Sequence, residues 1–331
     1  MQSDVAMQAV VQNGYGSAQV LSVSTLPRPK AGPGEVVVKV QGAGIDRGTW
    51  HLMTGRPYLM RLMGFGFWRP KQPVPGIDLS GTVVELGAGV TNFKLGDQVF
   101  GIGQGTFAEY TRALACKLAK VPSGIALADA SLLGVSAMTA LQALTVNGGL
   151  RSGERVLIIG ASGGVGTYAV QLAKALGAQV TAVCSAAKRD LVAGLGADVV
   201  LDYAKDDFAD GRAQYDLILD GGGNTPLGRL RRAMTATGRL VFVGGEHGGD
   251  WTAGFGRQLL ALLIAPFTRQ RFVMMMAKEE SSSLEQIATL CHEGKLRPVI
   301  DRRIGLGHVA QALVDMEAGK LRGKVLVQIG A

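Results

Sequence analysis

The chain is 331 residues long, 47% hydrophobic and 18% charged, with 34 basic against 26 acidic side chains and a formal net charge of +8. Such a composition is globular and the length fits two domains. The 48 glycines are scattered at turns without a period, which excludes collagen-like and low-complexity chains. The N-terminal stretch has no basic segment leading into an apolar core, and the longest apolar run, Leu259 to Ala265, is too short to span a bilayer, so a cytoplasmic protein is expected. Cys116, Cys184 and Cys291 lie far apart with no CxxC, a pattern of reduced thiols rather than of a disulfide frame.

In chain order, the first 120 residues read as all-β. Short strands at Glu35 to Gln41, Gly81 to Glu85 and Asp97 to Phe100 are punctuated by glycine turns. From Pro122 helices and strands alternate: a helix Ala126 to Leu144, a strand Val156 to Ile159, a helix Val165 to Leu176, a strand Val180 to Cys184 and a helix Lys188 to Leu195. There follow strands Val199 to Asp202 and Leu217 to Asp220, a helix Leu227 to Met234, strands Leu240 to Val243 and Phe272 to Met276, and a helix Ser282 to Glu293 that closes the domain. Alternation of this kind predicts an α/β fold with a doubly wound parallel sheet. Lys295 to Ile329 reads strand, helix, strand and returns to the first domain. The expected division is 1–122, 123–294 and 295–331.

The segment Arg155 to Tyr203 carries the chemistry. A buried strand stops at Gly160, and the turn Ala161-Ser162-Gly163-Gly164-Val165-Gly166 opens a helix whose apolar positions Val165, Ala169, Leu172 and Leu176 share one face. Glycines let the backbone approach a pyrophosphate, and the helix start offers free N–H groups and a positive dipole end. The first glycine of the usual GxGxxG pattern is Ala161 here, so the turn rests on its strand–helix–strand context. An NAD site places an acid about twenty residues further on. This chain has Cys184-Ser185 there, with Lys188 and Arg189 close behind, a set that attracts a 2′-phosphate. Cations are unfavourable at a helix start, so the cofactor reads as NADPH.

The motifs GIDLSGTVVELGAGVTNFKLGDQVFG (Gly76 to Gly101), GTFAEY (Gly105 to Tyr110), GASGGVG, GADVVLDY (Gly196 to Tyr203) and RGKVLV (Arg322 to Val327) resemble the zinc-free, quinone-oxidoreductase-like medium-chain dehydrogenases/reductases over the whole chain. The resemblance implies a mostly β GroES-like catalytic domain and a Rossmann domain that binds NADPH. By the same resemblance Ser185, Lys188 and Tyr203 hold the 2′-phosphate, and Ser162, Gly163, Gly164 and Val165 form the pyrophosphate turn. Thr139, Gly244 and Arg322 match positions at the nicotinamide end.

Zinc dehydrogenases of that superfamily need three ligands and an open position. Their places are taken here by Asp46-Arg47-Gly48 and Ile77-Asp78, the four-cysteine lobe is missing, and His51, His247, His292 and His308 have no metal spacing. No metal site is expected. Hydride transfer from NADPH to a quinone, enone or related activated carbonyl then requires only substrate orientation, stabilisation of an enolate-like oxygen and a proton donor. Tyr58 is the preferred donor, with Asp46, Thr49 and Trp50 beside it in the sequence. The family commonly has Asn and Asp at the positions of Asp46 and Thr49. Two alternatives stay open: an NADPH-binding sensor or scaffold with weak catalysis, and an NADP-dependent alcohol or aldehyde reductase.

Two acid-free stretches hold four cations each: Arg56, Arg61, Arg69 and Lys71 in 51–77, and Arg257, Arg269, Arg271 and Lys278 in 255–278. Both are rich in apolar residues (Leu59, Met60, Leu62, Met63, Phe65, Phe67 and Trp68; Leu259, Leu260, Leu262, Leu263 and Ile264). They read as a cover for the substrate cleft and a homodimer interface. The second reading is a weak peripheral contact with a membrane surface, or a site for a bulky apolar substrate. The aliphatic interleaving speaks against nucleic acid.

Overall fold

The computed structural model describes residues 6–58, 61, 66–223, 225–244 and 255–330. Two compact units emerge, Met1–Met138 with Glu279–Ala331 and Thr139–Lys278.

The first unit begins with β1 (Ala6–Gln12) and β2 (Leu21–Pro27), an antiparallel pair, followed by β3 (Glu35–Ile45) and helix α1 (Arg47–Thr54). Strands β4 (Asp78–Leu86), β5 (Gln98–Ile102), β6 (Tyr110–Leu114) and β7 (Leu118–Lys120) come next, then the short helix α2 (Leu127–Ala130) and α3 (Val135–Gln142), which runs into the second unit. The second unit contains β8 (Arg155–Ile159), α4 (Gly164–Ala175), β9 (Gln179–Cys184), α5 (Arg189–Gly194), β10 (Val199–Asp202), β11 (Tyr215–Asp220), α6 (Leu227–Ala233), β12 (Met234–Phe242), α7 (Phe255–Ile264) and β13 (Arg271–Met274). The chain then returns to the first unit as α8 (Ser281–His292), β14 (Ile300–Ile304), α9 (Val309–Glu317) and β15 (Lys324–Gln328).

The sheet of the second unit runs β10-β9-β8-β11-β12-β13, every pair parallel. This is the doubly wound order, whose direction of travel reverses between β8 and β11 and opens a crevice there at the carboxyl ends of the strands. Its central strands are buried on both faces, which is why β8 and β11 read as continuous apolar runs. Leu157, Ile218, Leu230, Leu240 and Phe242 centre one of its core clusters. The first unit is a mostly antiparallel sheet, β14-β15-β3-β4-β5-β7, with β6 paired to β3. Its C-terminal strand β15 lies antiparallel to β3, pairing Val325 with Ile45 and Leu326 with Gly44, so the end of the chain does return to the first unit.

Several expectations fail for reasons that lie far away in sequence. The continuous helix Ala126 to Leu144 is broken at Gly134. A Cβ on Gly134 would come 2.4 Å from Asp78 Oδ1, and that same oxygen accepts the Val135 N–H at 2.6 Å, capping a fresh helix start. Residues Ala143–Asn147 continue α3 as a single π turn. Helix α8 belongs to the first unit, packed on β7, and does not close the nucleotide unit; Leu284 leans against Gly101. The compact units therefore part at 138/139 and 278/279, not at 122/123 and 294/295. The first 120 residues include α1, stopped by Gly55 at φ +63°. The stretch from Lys188 starts as a 3-10 turn over Ala186–Lys188 before α5. Among the described residues no single helix is long and apolar enough to cross a membrane. The one apolar pair that could, Leu127–Leu133 with Val135–Asn147, is bent by 41° and largely buried.

Candidate functional site

In the second unit the turn after β8 is built by backbone. Gly160 adopts φ +82°, its N–H and that of Ala161 both donate to Val183 O at 3.1 Å, and Gly163 N–H donates back to Gly160 O at 3.1 Å. A Cβ on Gly166 would stand 2.2 Å from Gly160 O and 2.7 Å from the Ala161 carbonyl carbon, so this helix turn fits against the strand end only as glycine. Gly163 is the N-cap of α4, whose first turn has no acid. The early N–H groups and positive end of α4 thus open beside the crevice with no side-chain cap on them. Ser162 is buried in the turn, and Gly164 and Val165 begin the helix.

At the ends of the neighbouring strands, Asp202 pairs with Cys184 in register and Tyr203 N–H donates to Cys184 O at 3.1 Å. This sets Ser185 and Tyr203 side by side at the carboxyl edge, with Tyr203 exposed and Lys188 half-buried in the following turn. Arg189 reaches away, its guanidinium donating to Val200 O at 2.9 Å. Asp202, at the end of β10, is buried and accepts the Ala204 N–H at 3.1 Å. On the other side of the crevice Gly221 N–H donates to Ile159 O at 3.0 Å, and Gly244 N–H donates to Asp220 O at 3.1 Å. A Cβ on Gly244 would meet Gly221 O at 2.9 Å. Behind these glycines, buried Asp220 is ion-paired with Arg257 of α7 at 2.7 Å; that Nη1 also donates to Thr225 O, while Arg257 Nε and Nη2 are buried without a partner among the described residues. Thr139 lies half-buried on α3.

The first unit holds a different constellation. Asp46 is the N-cap of α1, its Oδ1 accepting the Thr49 N–H at 2.7 Å. Its other oxygen, the Thr49 hydroxyl and the Trp50 indole N–H are all buried and lack a partner among the described residues. Buried polar atoms without partners are costly, and three on one helix start mark a place where a ligand's polar atoms fit. Close by, Lys324 of β15 and Asp78 of β4, both inaccessible to solvent, form an ion pair at 2.6 Å, and the same ammonium donates to Ser136 Oγ at 3.1 Å. Burial drives the Asp78 carboxyl up to about 6, against the pull of Lys324 and with a further push from Asp46. Tyr58 lies past the far end of α1, which is about 12 Å long by its eight residues. Its ring stacks on Arg61, whose guanidinium is also held by Gly55 O and by the Tyr15 ring. Arg322 is exposed in the turn before β15, its N–H donating to Asp301 Oδ1.

At the positions where the family's zinc ligands would stand, no metal-binding set gathers among the described residues. Ile77 supplies no ligand, both Asp78 oxygens are engaged by Val135 N–H and Lys324, and among the described residues no three His, Cys, Asp or Glu side chains gather. His51 bonds Arg56 O through Nδ1, His292 bonds Ser123, and His308 ends a 3-10 turn, while His247 lies outside the described residues. Of the apolar residues in 51–77, Leu59, Met60, Leu62, Met63 and Phe65 also lie outside them, and Phe67 and Trp68 are exposed. Cys116 is exposed. Cys184 and Cys291 are buried, and burial pushes both thiols up, Cys291 to about 12.

Sequence reasoning missed Lys324, Ser136 and the Asp220–Arg257 pair. A lone lysine opening the apolar run Lys324 to Val327 was the one available signal, since a buried lysine demands a partner.

The model for the alcohol dehydrogenase GroES-like domain matches residues 32–123, and that for zinc-binding dehydrogenases matches 195–327. A chloroplast envelope quinone oxidoreductase homolog of Arabidopsis thaliana is 32% identical over 339 residues, covering 97% of this chain and 98% of that one. A mitochondrial NAD(P)H oxidoreductase of Mus musculus is 33% identical, covering 98% and 89%. The structure of the quinone oxidoreductase from Coxiella burnetii superposes with a TM-score of 0.84 at 26% identity, covering 98% of this chain and 100% of its own. With its GroES-like and Rossmann-type units, the chain belongs to the quinone-oxidoreductase-like branch of the medium-chain dehydrogenase/reductase family.

Proposed function

We propose that the chain is a metal-independent, NADPH-dependent reductase of quinones, enones or related activated carbonyl compounds. The observation that carries this reading is the glycine cradle before α4, whose N–H groups carry no side-chain cap; the first unit separately holds the Asp46, Thr49 and Trp50 atoms that lack partners among the described residues. NADPH when bound supplies the hydride. The α4 N-terminus and the turn Ser162 to Val165 would hold its pyrophosphate, and Ser185, Lys188 and Tyr203 its 2′-phosphate. Gly244, Thr139 and Arg322 would face its nicotinamide end.

Thr49 Oγ and Trp50 Nε1 are donors suited to a developing oxyanion. An ionised Asp46 oxygen is an acceptor only and would orient a hydroxyl or a water. The proton donor expected from the sequence, Tyr58, stands past the far end of α1 from Asp46 and Thr49, so its role is tested apart from theirs. A conjugated acceptor carries its own electron sink, so positioning and modest donors suffice without a Lewis acid. Relatives are NAD(P)H oxidoreductases by name; the choice of NADPH here rests on Ser185 and Lys188 standing where an acid would serve NADH. A homodimer in the cytoplasm is the setting read from the sequence.

The test is a screen of NADPH oxidation against quinones, enones, 2-enoyl thioesters, alcohols and aldehydes, before and after exhaustive chelation. Turnover of a conjugated acceptor that survives chelation is expected. Turnover of plain alcohols lost on chelation would overturn the reading, and NADPH binding without any turnover would leave a sensor.

A further inference from the structure

Helix α7 packs on its own unit with Ala261 and Ile264 in the core cluster and Arg257 on Asp220. Its opposite side is bare. Leu259, Leu260, Leu262 and Leu263 are 61%, 46%, 47% and 65% exposed, and Phe267, closing the 3-10 turn after the helix, is 87% exposed. At 100° per residue the four leucines cover roughly 160° of the helix circumference. No charged side chain interrupts the run from Gln258 to Thr268. Soluble surfaces seldom leave so contiguous an aliphatic face uncovered.

What borders this face indicates what covers it. Directly after Phe267, residues Thr268, Arg269 and Gln270 form one wall of a groove of about 500 Å³ whose other wall includes Arg231, Arg232 and Ala236. Gln270 fixes the two walls together, donating to Arg231 O and Thr235 O and accepting from Arg231 Nε. The last turn of α6 accounts for Arg231 and Arg232 through the helix dipole. It does not account for Arg269, on a separate segment, or for Arg271 beside it. None of the four is in an ion pair with a described carboxylate. An anionic interface with an apolar interior complements both parts at once.

We propose that the outer face of α7 and the adjoining arginine groove form a docking surface for an anionic phospholipid bilayer. The leucines and Phe267 sink to the headgroup–acyl boundary, while Arg231, Arg232, Arg269 and Arg271 meet lipid phosphates. The apolar helix Gly256–Phe267 is far too short to span, so it lies in the interface plane. The inference does not depend on the proposed reaction, and its readout is binding alone.

Flotation of the full chain with phosphatidylcholine vesicles, with and without phosphatidylglycerol, tests it. Binding is expected only with phosphatidylglycerol, and release is expected at high salt. Leu259→Gln with Leu263→Gln should abolish binding while the fold, followed by circular dichroism and thermal midpoint, is kept. Arg232→Glu with Arg269→Glu should weaken it by about fivefold or more for each cation removed. Wild-type protein that ignores anionic vesicles overturns the proposal, as do variants that bind like wild type. A leucine double variant that turns a dimer into a monomer by light scattering, in a protein that never floats, would assign the face to a second copy instead.

Discussion

At the carboxyl end of β8 the chain turns on bonds between backbone atoms, Gly160 and Ala161 onto Val183 and Gly163 onto Gly160. At the carboxyl end of β3 the corresponding floor is made of side chains: Asp46, Thr49, Trp50, and behind them Asp78, Lys324 and Ser136. The first arrangement needs only missing Cβ atoms and a helix start. The second buries charge, and its parts come from β4, α3 and β15. A pocket of backbone can keep its shape through many side-chain changes. A pocket of paired buried charges fails when one partner is lost, because the other is left uncompensated.

The contrast is broken most directly at Lys324. Lys324→Met leaves Asp78 buried with no cation and should cost about 3–5 kcal/mol in denaturant unfolding; a second change, Asp78→Asn, should restore part of it. A loss no larger than that of an ordinary surface substitution would show that the ion pair does not hold the unit together. The pair also has a pH signature. Burial raises Asp78 from near 3.8 to about 6 in the folded chain, so folding favours its protonated form. The stability this group contributes is fully present below about pH 4 and declines as pH rises through about 6. The decline should vanish in Asp78→Asn and extend to higher pH in Lys324→Met, read from chemical denaturation at each pH.

The next effect belongs to the nucleotide side. Lys188→Ala should weaken NADPH binding by about 1.5–3 kcal/mol while NADH binding scarcely changes, as titration of cofactor fluorescence would report. Equal losses for both cofactors would remove the phosphate role. Thr49→Val should be smaller in energy and opposite in sign for the fold. It removes a buried hydroxyl that lacks a partner, so stability should hold or rise by up to about 1 kcal/mol while turnover falls. The smallest change is expected at Tyr58→Phe, which should slow turnover and leave NADPH binding intact. An unchanged rate would free Tyr58 for its packing role against Arg61.

The same contrast explains what could be read from the sequence. Strand, glycine turn, helix and strand from Arg155 to Tyr203 were legible because every partner lies within one local unit. Helix periodicity likewise found α8, but a hydrophobic face does not say which sheet it covers, and α8 went to β7. The break at Gly134 was hidden because its cap, Asp78, lies 57 residues away, and Lys324 is separated from Asp78 by 246. Asp46 and Thr49 could be named from resemblance. That Asp46 spends one oxygen on the Thr49 N–H and leaves the other buried is a fact of folded geometry only.

The three thiols acquire a meaning from the proposed chemistry. Quinones and enones are soft electrophiles that add to thiolates, so an enzyme that handles them risks alkylating itself. Cys184 stands one residue from Ser185, at the edge of the nucleotide turn, yet burial keeps it protonated despite the cations of Lys188 and Arg189. Cys291, pushed up to about 12, is quieter still. Only Cys116 meets solvent, on the segment between β6 and β7, so adducts formed during turnover would collect there and spare the strand end that leads to the cofactor site.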